Sequence, residues 1–244
     1  VHGICFVVDG QETTLRWDIL SFKFIQTSEH KTSQEPPLIP PKYENVTKLE
    51  TVWIKGEIDS GLFDDLKWRI GDTKNTTILL IIDSGGGYVS SIQQCIDYLL
   101  ILKQKSGVKY ISYIYNALSG GYLISAVADE IYASPVSLVG GLGSIFYFYR
   151  WTGIDVETIT QAKLKDFESN LTSQQRDMLM DIIIETDNYY AEFIAKQRNL
   201  NVTFVKQELM TGYIFTATKS LKVGLIDEII DYSQLMERKG GTNK

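Results

Sequence analysis

Tyr110-Ile111-Ser112-Tyr113-Ile114-Tyr115-Asn116-Ala117-Leu118-Ser119-Gly120-Gly121-Tyr122-Leu123-Ile124-Ser125-Ala126-Val127-Ala128 is the stretch on which the fold turns. Its first six residues are largely β-branched or aromatic, the composition of a strand. Its last six are small or apolar and suit a helix. Between them Ser119 stands at a strand-to-helix turn, where a hydroxyl is lifted clear of the sheet. The N–H groups of the helix's first turn have no intrahelical partner, and the helix dipole favours negative charge beside them. A serine placed there is either a plain N-cap or a nucleophile beside half an oxyanion hole.

A second turn bears on that choice. Ile78-Leu79-Leu80-Ile81-Ile82 is a short, fully apolar run, as expected of a buried parallel strand. It ends in Asp83-Ser84-Gly85-Gly86-Gly87. An amphipathic helix comes next, with Tyr88, Val89, Ile92, Cys95, Ile96, Leu99 and Leu100 on one stripe. Glycines at the carboxyl end of a parallel strand let another backbone approach closely, and ligand sites of open α/β sheets lie at that end.

Outward from these two units the pattern stays βα. Leu49 to Ile54 reads as a strand, and Leu62 to Ile70 as a helix. Glu130 to Ala133 is a short strand, Pro135 to Gly143 a glycine-rich loop, and Ser144 to Tyr149 and Val156 to Thr160 are strand-like. Thr172-Ser173-Gln174-Gln175 forms a capping box for a long helix with Met178, Leu179, Ile182, Ile183, Tyr190, Phe193 and Ile194 on one face. Val202 to Met210 and Thr218 to Val223 are helices, and Gly224 to Ile230 closes with a strand. The fold class is α/β, with repeated βα units and a mainly parallel sheet. Residues 1–48 read as an N-terminal arm with two strands and a linker carrying Pro36, Pro37, Pro40 and Pro41. Residues 49–236 form the main domain, and 237–244 a frayed polar tail.

Composition excludes several classes. The chain has 244 residues, 44% hydrophobic and 22% charged, long enough for a core without staples. A net charge of −6 without a basic block argues against nucleic acid as a partner. Cys5 and Cys95 are far apart and predict neither a disulfide framework nor a metal site. No cofactor is expected. No apolar run is long enough to span a bilayer. Asn45, Asn75, Asn170 and Asn201 begin sequons, which matter only in a glycosylating compartment.

A nucleophilic serine needs a base. His2 and His30 both lie in the N-terminal arm, which disfavours a Ser-His-Asp triad. Lysine serves when burial or a nearby cation depresses its pKa. Lys163 and Lys165, after the Val156 strand, are the candidates, and spacing does not choose between them.

Residues 49–232 resemble the signal peptide peptidase A family, serine proteases of the ClpP/crotonase fold. Asp83-Ser84-Gly85-Gly86-Gly87-Tyr88-Val89 is similar to the family's Asn-Ser-Pro-Gly-Gly-X-Val turn. Ser119-Gly120-Gly121-Tyr122 with Ala128-Asp129-Glu130-Ile131-Tyr132-Ala133-Ser134-Pro135 resembles the nucleophile motif and the segment after it. Thr158 to Asp166 is similar to its Ile-Lys-Ser-Gly-X-X-Lys-Asp segment, and Phe215 to Thr218 with Gly224 to Glu228 to its ending. The resemblance implies that Ser119 is the nucleophile and Lys165 its base. It implies an oxyanion hole from the N–H of Gly120 and of Gly86 or Gly87. Three positions depart: Gly85 stands for the family's proline, Asp83 for its asparagine, and Gly141 where a serine often bonds the lysine, with Ser144 three positions late.

The resemblance also implies a short single-repeat form assembled as a homo-oligomeric ring. It implies peptide substrates, hydrophobic or signal-peptide-like. It implies membrane association through a segment upstream of Val1, with the protease domain outside the cytoplasm. Phe146, Tyr147, Phe148 and Trp151 are the candidate subunit contacts. Two other readings keep the fold: a crotonase-like acyl-CoA enzyme, disfavoured by the lysine segment, and a non-catalytic scaffold, favoured by Gly141.

Overall fold

The structure is a computed structural model, and it describes residues 49–71, 73–149, 156–161 and 173–240. The N-terminal arm and linker, with both histidines and Cys5, lie outside these residues. So do Trp151, Lys163, Lys165, Asn170 and the capping-box Thr172.

Four parallel strands carry the architecture: β1 (Leu49–Ile58), β2 (Thr77–Gly87), β3 (Lys109–Leu118) and β4 (Glu130–Gly140). They are linked through α1 (Ser60–Ile70), α2 (Val89–Ser106) and α3 (Gly120–Ser125). The β5–β6 hairpin (Ile145–Tyr149, Val156–Thr160) is a separate antiparallel pair. The long α4 (Ser173–Arg198), the one-turn α5 (Val202–Phe204) and a π-helical turn at Val205–Leu209 come after it. β7 (Ile214–Thr216) joins β4 antiparallel, and β8 (Glu228–Ile229) joins it parallel at Tyr132 and Ala133. α6 (Ala217–Lys222) lies between them, and α7 (Tyr232–Arg238) comes last. The sheet order is β1-β2-β3-β4-β7. This is the expected α/β class, a ClpP/crotonase-like fold.

Alternation divides the sheet into two faces. Val52, Ile54, Ile78, Leu80, Ile82, Tyr110 and Ile114 point into the main core with Ile92, Ile96 and Leu99 of α2. Leu79, Ile81, Ile111 and Tyr113 point the other way, onto Leu235 and Met236 of α7. Strands buried on both faces explain the unbroken apolar run of β2.

The strands run further than their apolar runs suggest. β2 continues through Gly87, β3 to Leu118 and β4 to Gly140, so the loop expected at Pro135 to Gly143 is mostly strand. The reason is a row of irregularities crossing the sheet at one height. Gly56 faces both Ser84 and Gly85 in the β1–β2 pair. Tyr115 is the extra residue against β2, and Ser134 to Ser137 bow out against β3. Pro135 lacks an N–H for the ladder, which suits it to that bow. Beyond the row the strands pair again, Glu57 with Gly86, Asp83 with Asn116, and Ala117 with Val139. Bulges bend strands and re-aim the residues beyond them.

Other expectations shift for local reasons. Asp59 caps α1 by accepting from the Gly61 and Leu62 N–H groups, so that helix starts at Ser60. Tyr88 and Val89 are exposed rather than part of α2's buried stripe, because they stand at the helix start beyond the sheet edge. Met178 and Ile182 are exposed as well. Leu179 and Ile183 form their own small cluster with Met180 and Phe146 of the β5–β6 hairpin, so one side of α4 is covered there. The polar tail begins inside α7. Lys239 is buried, its Nζ 2.6 Å from Glu130 and over the ring of Tyr132.

Candidate active site

The carboxyl ends of all four parallel strands meet beyond the row of bulges, and Ser119 lies among them. Its backbone has φ 51° and ψ −122°, a conformation L-residues rarely adopt. It occupies the N-cap position of α3 but makes no side-chain capping bond, so the plain N-cap role is not what holds it there. The backbone is fixed from both sides. The Ser119 N–H donates to the Gly140 carbonyl at 2.7 Å, and the Ser119 carbonyl accepts from the Tyr122 and Leu123 N–H groups. Strain of this kind persists only where the surroundings over-determine it, and it concentrates at functional sites.

Glycines make the close approach possible. A Cβ on Gly86 would stand 2.8 Å from the Ser119 Cβ and 3.1 Å from the Gly120 nitrogen. One on Gly120 would run into Ile92 of α2, and one on Gly121 would reach the Ser84 carbonyl at 2.9 Å. One on Gly87 would sit 2.2 Å from the Ile58 carbonyl oxygen. Gly85 has open space around it and no positive φ, so it alone of the three tolerates a side chain, in keeping with the proline of the resembling motif.

The structure therefore brings Ser119, Gly120 and Gly86 together, while Gly87, the next residue of β2, packs against the backbone of Ile58. Gly86 is buried and Gly87 exposed, while the Gly86 N–H already donates to Ser84 Oγ at 3.1 Å. Asp83 accepts from Asn116 Nδ2 at 3.1 Å, joining β2 to β3 beside the site. Gly141 has φ 56°, and its N–H donates to the Tyr213 carbonyl. A Cβ there would meet only ordinary contacts, so what opposes a serine is the backbone angle, not space. The Ser144 N–H donates to the buried Asp187 of α4 at 2.7 Å, which anchors the end of the glycine loop. Lys163 and Lys165 fall outside the described residues.

Residues deeper in the fold hold this arrangement. The Tyr122 hydroxyl donates to the Leu225 carbonyl, and burial pushes that phenol's pKa up. Arg198 of α4, its side chain nearly covered, donates to the Gly224 carbonyl and to Asp227, which accepts from the Ile131 N–H. Burial pushes the Cys95 thiol up to about 11. Sequence reading missed Gly56, Ser84 and Gly140 as members of the site. A lone glycine within a strand, as at Gly56, was the available signal for the bulge. Among the described residues no group of His, Cys, Asp or Glu is arranged to hold a metal ion, and no helix is long and apolar enough to cross a membrane.

The chain is similar to several known proteins. Among sequence relatives, a putative protease MJ0651 of Methanocaldococcus jannaschii is 31% identical over 178 residues, covering 69% of this chain and 55% of the relative. A putative signal peptide peptidase SppA of Enterococcus faecium is 26% identical over 161 residues, covering 62% and 46%. A probable protease SohB of Buchnera aphidicola is 25% identical over 223 residues, covering 86% and 69%. The chain thus spans about half the length of the first two. A serine-to-alanine mutant of the 1510-N membrane-bound stomatin-specific protease superposes with a TM-score of 0.57 at 19% identity, covering 82% of this chain and 86% of that one. A lysine-to-alanine mutant of that protease, in complex with a substrate peptide, gives 0.56 at 18%, covering 80% of each. The model of peptidase family S49 matches residues 103–242, a span that includes the strained serine turn between β3 and α3 and everything from there through α7, and the chain belongs to that family.

Proposed function

We propose that the protein is a serine endopeptidase with a Ser119–Lys165 dyad. The carrying observation is Ser119 itself, strained at its turn and set against Gly86 and Gly120. In the proposed reaction the Ser119 hydroxyl attacks a peptide carbonyl, and its proton passes to the neutral Lys165 amine. The resulting oxyanion lies against the Gly120 N–H and the Gly87 N–H. We favour Gly87 over Gly86 because the Gly86 N–H is engaged by Ser84. The lysine ammonium then protonates the leaving amine, and water, deprotonated by the same lysine, releases the acyl group.

Substrates in this reading are extended, hydrophobic or signal-peptide-like peptides. Tyr88 and Val89, exposed directly after Gly87, offer apolar surface for them. Association with a membrane through a segment upstream of Val1, a protease domain outside the cytoplasm, and a homo-oligomeric ring belong to the same reading. The name of the SppA relative supports the signal-peptide-like substrates and that of the membrane-bound structural neighbour the membrane association, while the ring and the orientation rest on the motif resemblance. The test is a peptidase assay of the wild type beside Ser119→Ala, Lys165→Ala and Lys163→Ala. Loss with the first two and retention with the third supports the dyad. Full activity of Ser119→Ala ends it.

A further inference from the structure

We infer that Ser84 is a positioning residue, whose hydroxyl clips the glycine strand opposite the nucleophile to the bulge of β1. The inference rests on the proposed Ser–Lys reading for its consequence but on separate atoms for its geometry. Ser84 is 2% exposed. Its Oγ donates to the Gly56 carbonyl at 2.6 Å and accepts from the Gly86 N–H at 3.1 Å. Both partners are positive-φ glycines, 77° at Gly56 and 105° at Gly86, at the place where the β1–β2 register breaks. One hydroxyl therefore joins two backbone groups at the gap in the ladder.

The same residue supports the nucleophile from below. The first turn of α3 packs on it, since a Cβ on Gly121 would meet the Ser84 carbonyl oxygen at 2.9 Å and its Cβ at 3.2 Å. Gly86 in turn abuts Ser119 and Gly120. Ser84 thus touches the bulge, the glycine strand and the nucleophile helix, and a change in its bonds is transmitted to the Gly86-Gly87 peptide. Alanine would take the partner from the buried Gly86 N–H and from the part-buried Gly56 carbonyl, and the strand would move to recover a bond for the N–H elsewhere. A shift of the oxyanion donor relative to Ser119 acts on the transition state and not on ground-state peptide binding.

The experiment compares wild type, Ser84→Ala, Ser84→Cys and Ser84→Thr. We expect Ser84→Ala to lower kcat by at least tenfold with KM changed less than threefold, below the ~100- to 1,000-fold loss typical when an oxyanion donor is removed outright. Ser84→Thr, which keeps the hydroxyl, should recover most of kcat, and Ser84→Cys, a weaker donor of similar shape, should fall between. The alkaline limb of kcat/KM should stay where it is in the wild type, because the base is untouched. Amide hydrogen exchange at Gly86 should speed up at least tenfold in Ser84→Ala. If that variant does not fold, Ser84→Cys carries both measurements. Unchanged kcat in a folded Ala or Cys variant overturns the positioning role, and unchanged Gly86 exchange overturns the clip. A wild type without peptidase activity sinks the Ser–Lys reading instead, while the exchange measurement still decides the clip.

Discussion

Replacing Ser119 by glycine should give a more stable protein than replacing it by alanine, the reverse of the usual order. Within regular structure glycine costs ~0.5–1 kcal/mol relative to alanine, mainly through the freedom it adds to the unfolded chain. At φ 51° and ψ −122° the balance changes, because a Cβ is strained there and glycine is not. Residues held in such regions cost about 1–3 kcal/mol. Subtracting the chain-entropy cost leaves glycine ahead by roughly 1 kcal/mol, which for a domain of this size is about 2–4 °C in Tm. Both variants lack the hydroxyl, so its loss cancels and the difference isolates the backbone. The assay is urea unfolding of the two variants, monitored by circular dichroism, with a fluorophosphonate label to confirm that neither reacts. If the glycine variant is the weaker by ~0.5–1 kcal/mol, the turn is unstrained and the argument from strain to nucleophile falls.

The glycine strand should respond position by position. Gly85→Ala, with open space around it, should change stability by no more than about 0.5 kcal/mol in calorimetry. Gly87→Ala forces a Cβ against three backbone atoms of Ile58 and should cost at least ~2 kcal/mol by overpacking; a melting point equal to wild type would refute that contact. With lysine as base, kcat/KM should rise on the alkaline side of neutrality, since the reference amine titrates near ~10.4 and only its neutral form accepts a proton. A plateau already complete near pH ~6.5 would point to histidine. Burial holds the phenols of Tyr110, Tyr122, Tyr132 and Tyr190 well above their ordinary range and that of Tyr113 at about 12. Unfolded tyrosines ionise near pH ~10, so the stability these phenols contribute should be fully present below that value and be lost as pH rises through the folded range. Spectrophotometric titration at 295 nm should show those phenols ionising only as the protein unfolds. Cys95 should react with a thiol reagent near neutral pH only after denaturant is added, because it is buried and hard to ionise.

The strands that build the site were legible where composition was one-sided. The apolar run from Ile78 to Ile82 and the turn at Ser119 both lie where the pattern put them. What the pattern did not show was how the strands continue past polar and small residues. Ser84 to Gly87 and Leu138 to Gly140 stay in the sheet because neighbouring strands offer them partners, a tertiary effect that no local window carries. Tyr88 and Val89 fit a helical stripe by spacing, yet burial depends on what stands opposite, and nothing covers them among the described residues. The β8 segment is shorter than its apolar run because only Glu228 and Ile229 meet β4. The lysine assignment came from motif resemblance alone, and its segment lies outside the described residues.

The bond from the Ser119 N–H to the Gly140 carbonyl has a consequence for the timing of activity. The serine turn is complete in sequence at Tyr122, but its backbone is held by a strand made later, and that strand pairs with β7, made later still. Parallel pairing between distant segments is slow to form, because loop closure precedes the contacts that reward it. A chain emerging from the ribosome therefore carries its serine for some time without the geometry that would arm it. A partly unfolded molecule that sheds β4 loses the turn in the same step. In the proposed peptidase, activity and global folding should disappear together along a denaturant series, and accidental cleavage by immature or damaged copies would then be self-limiting.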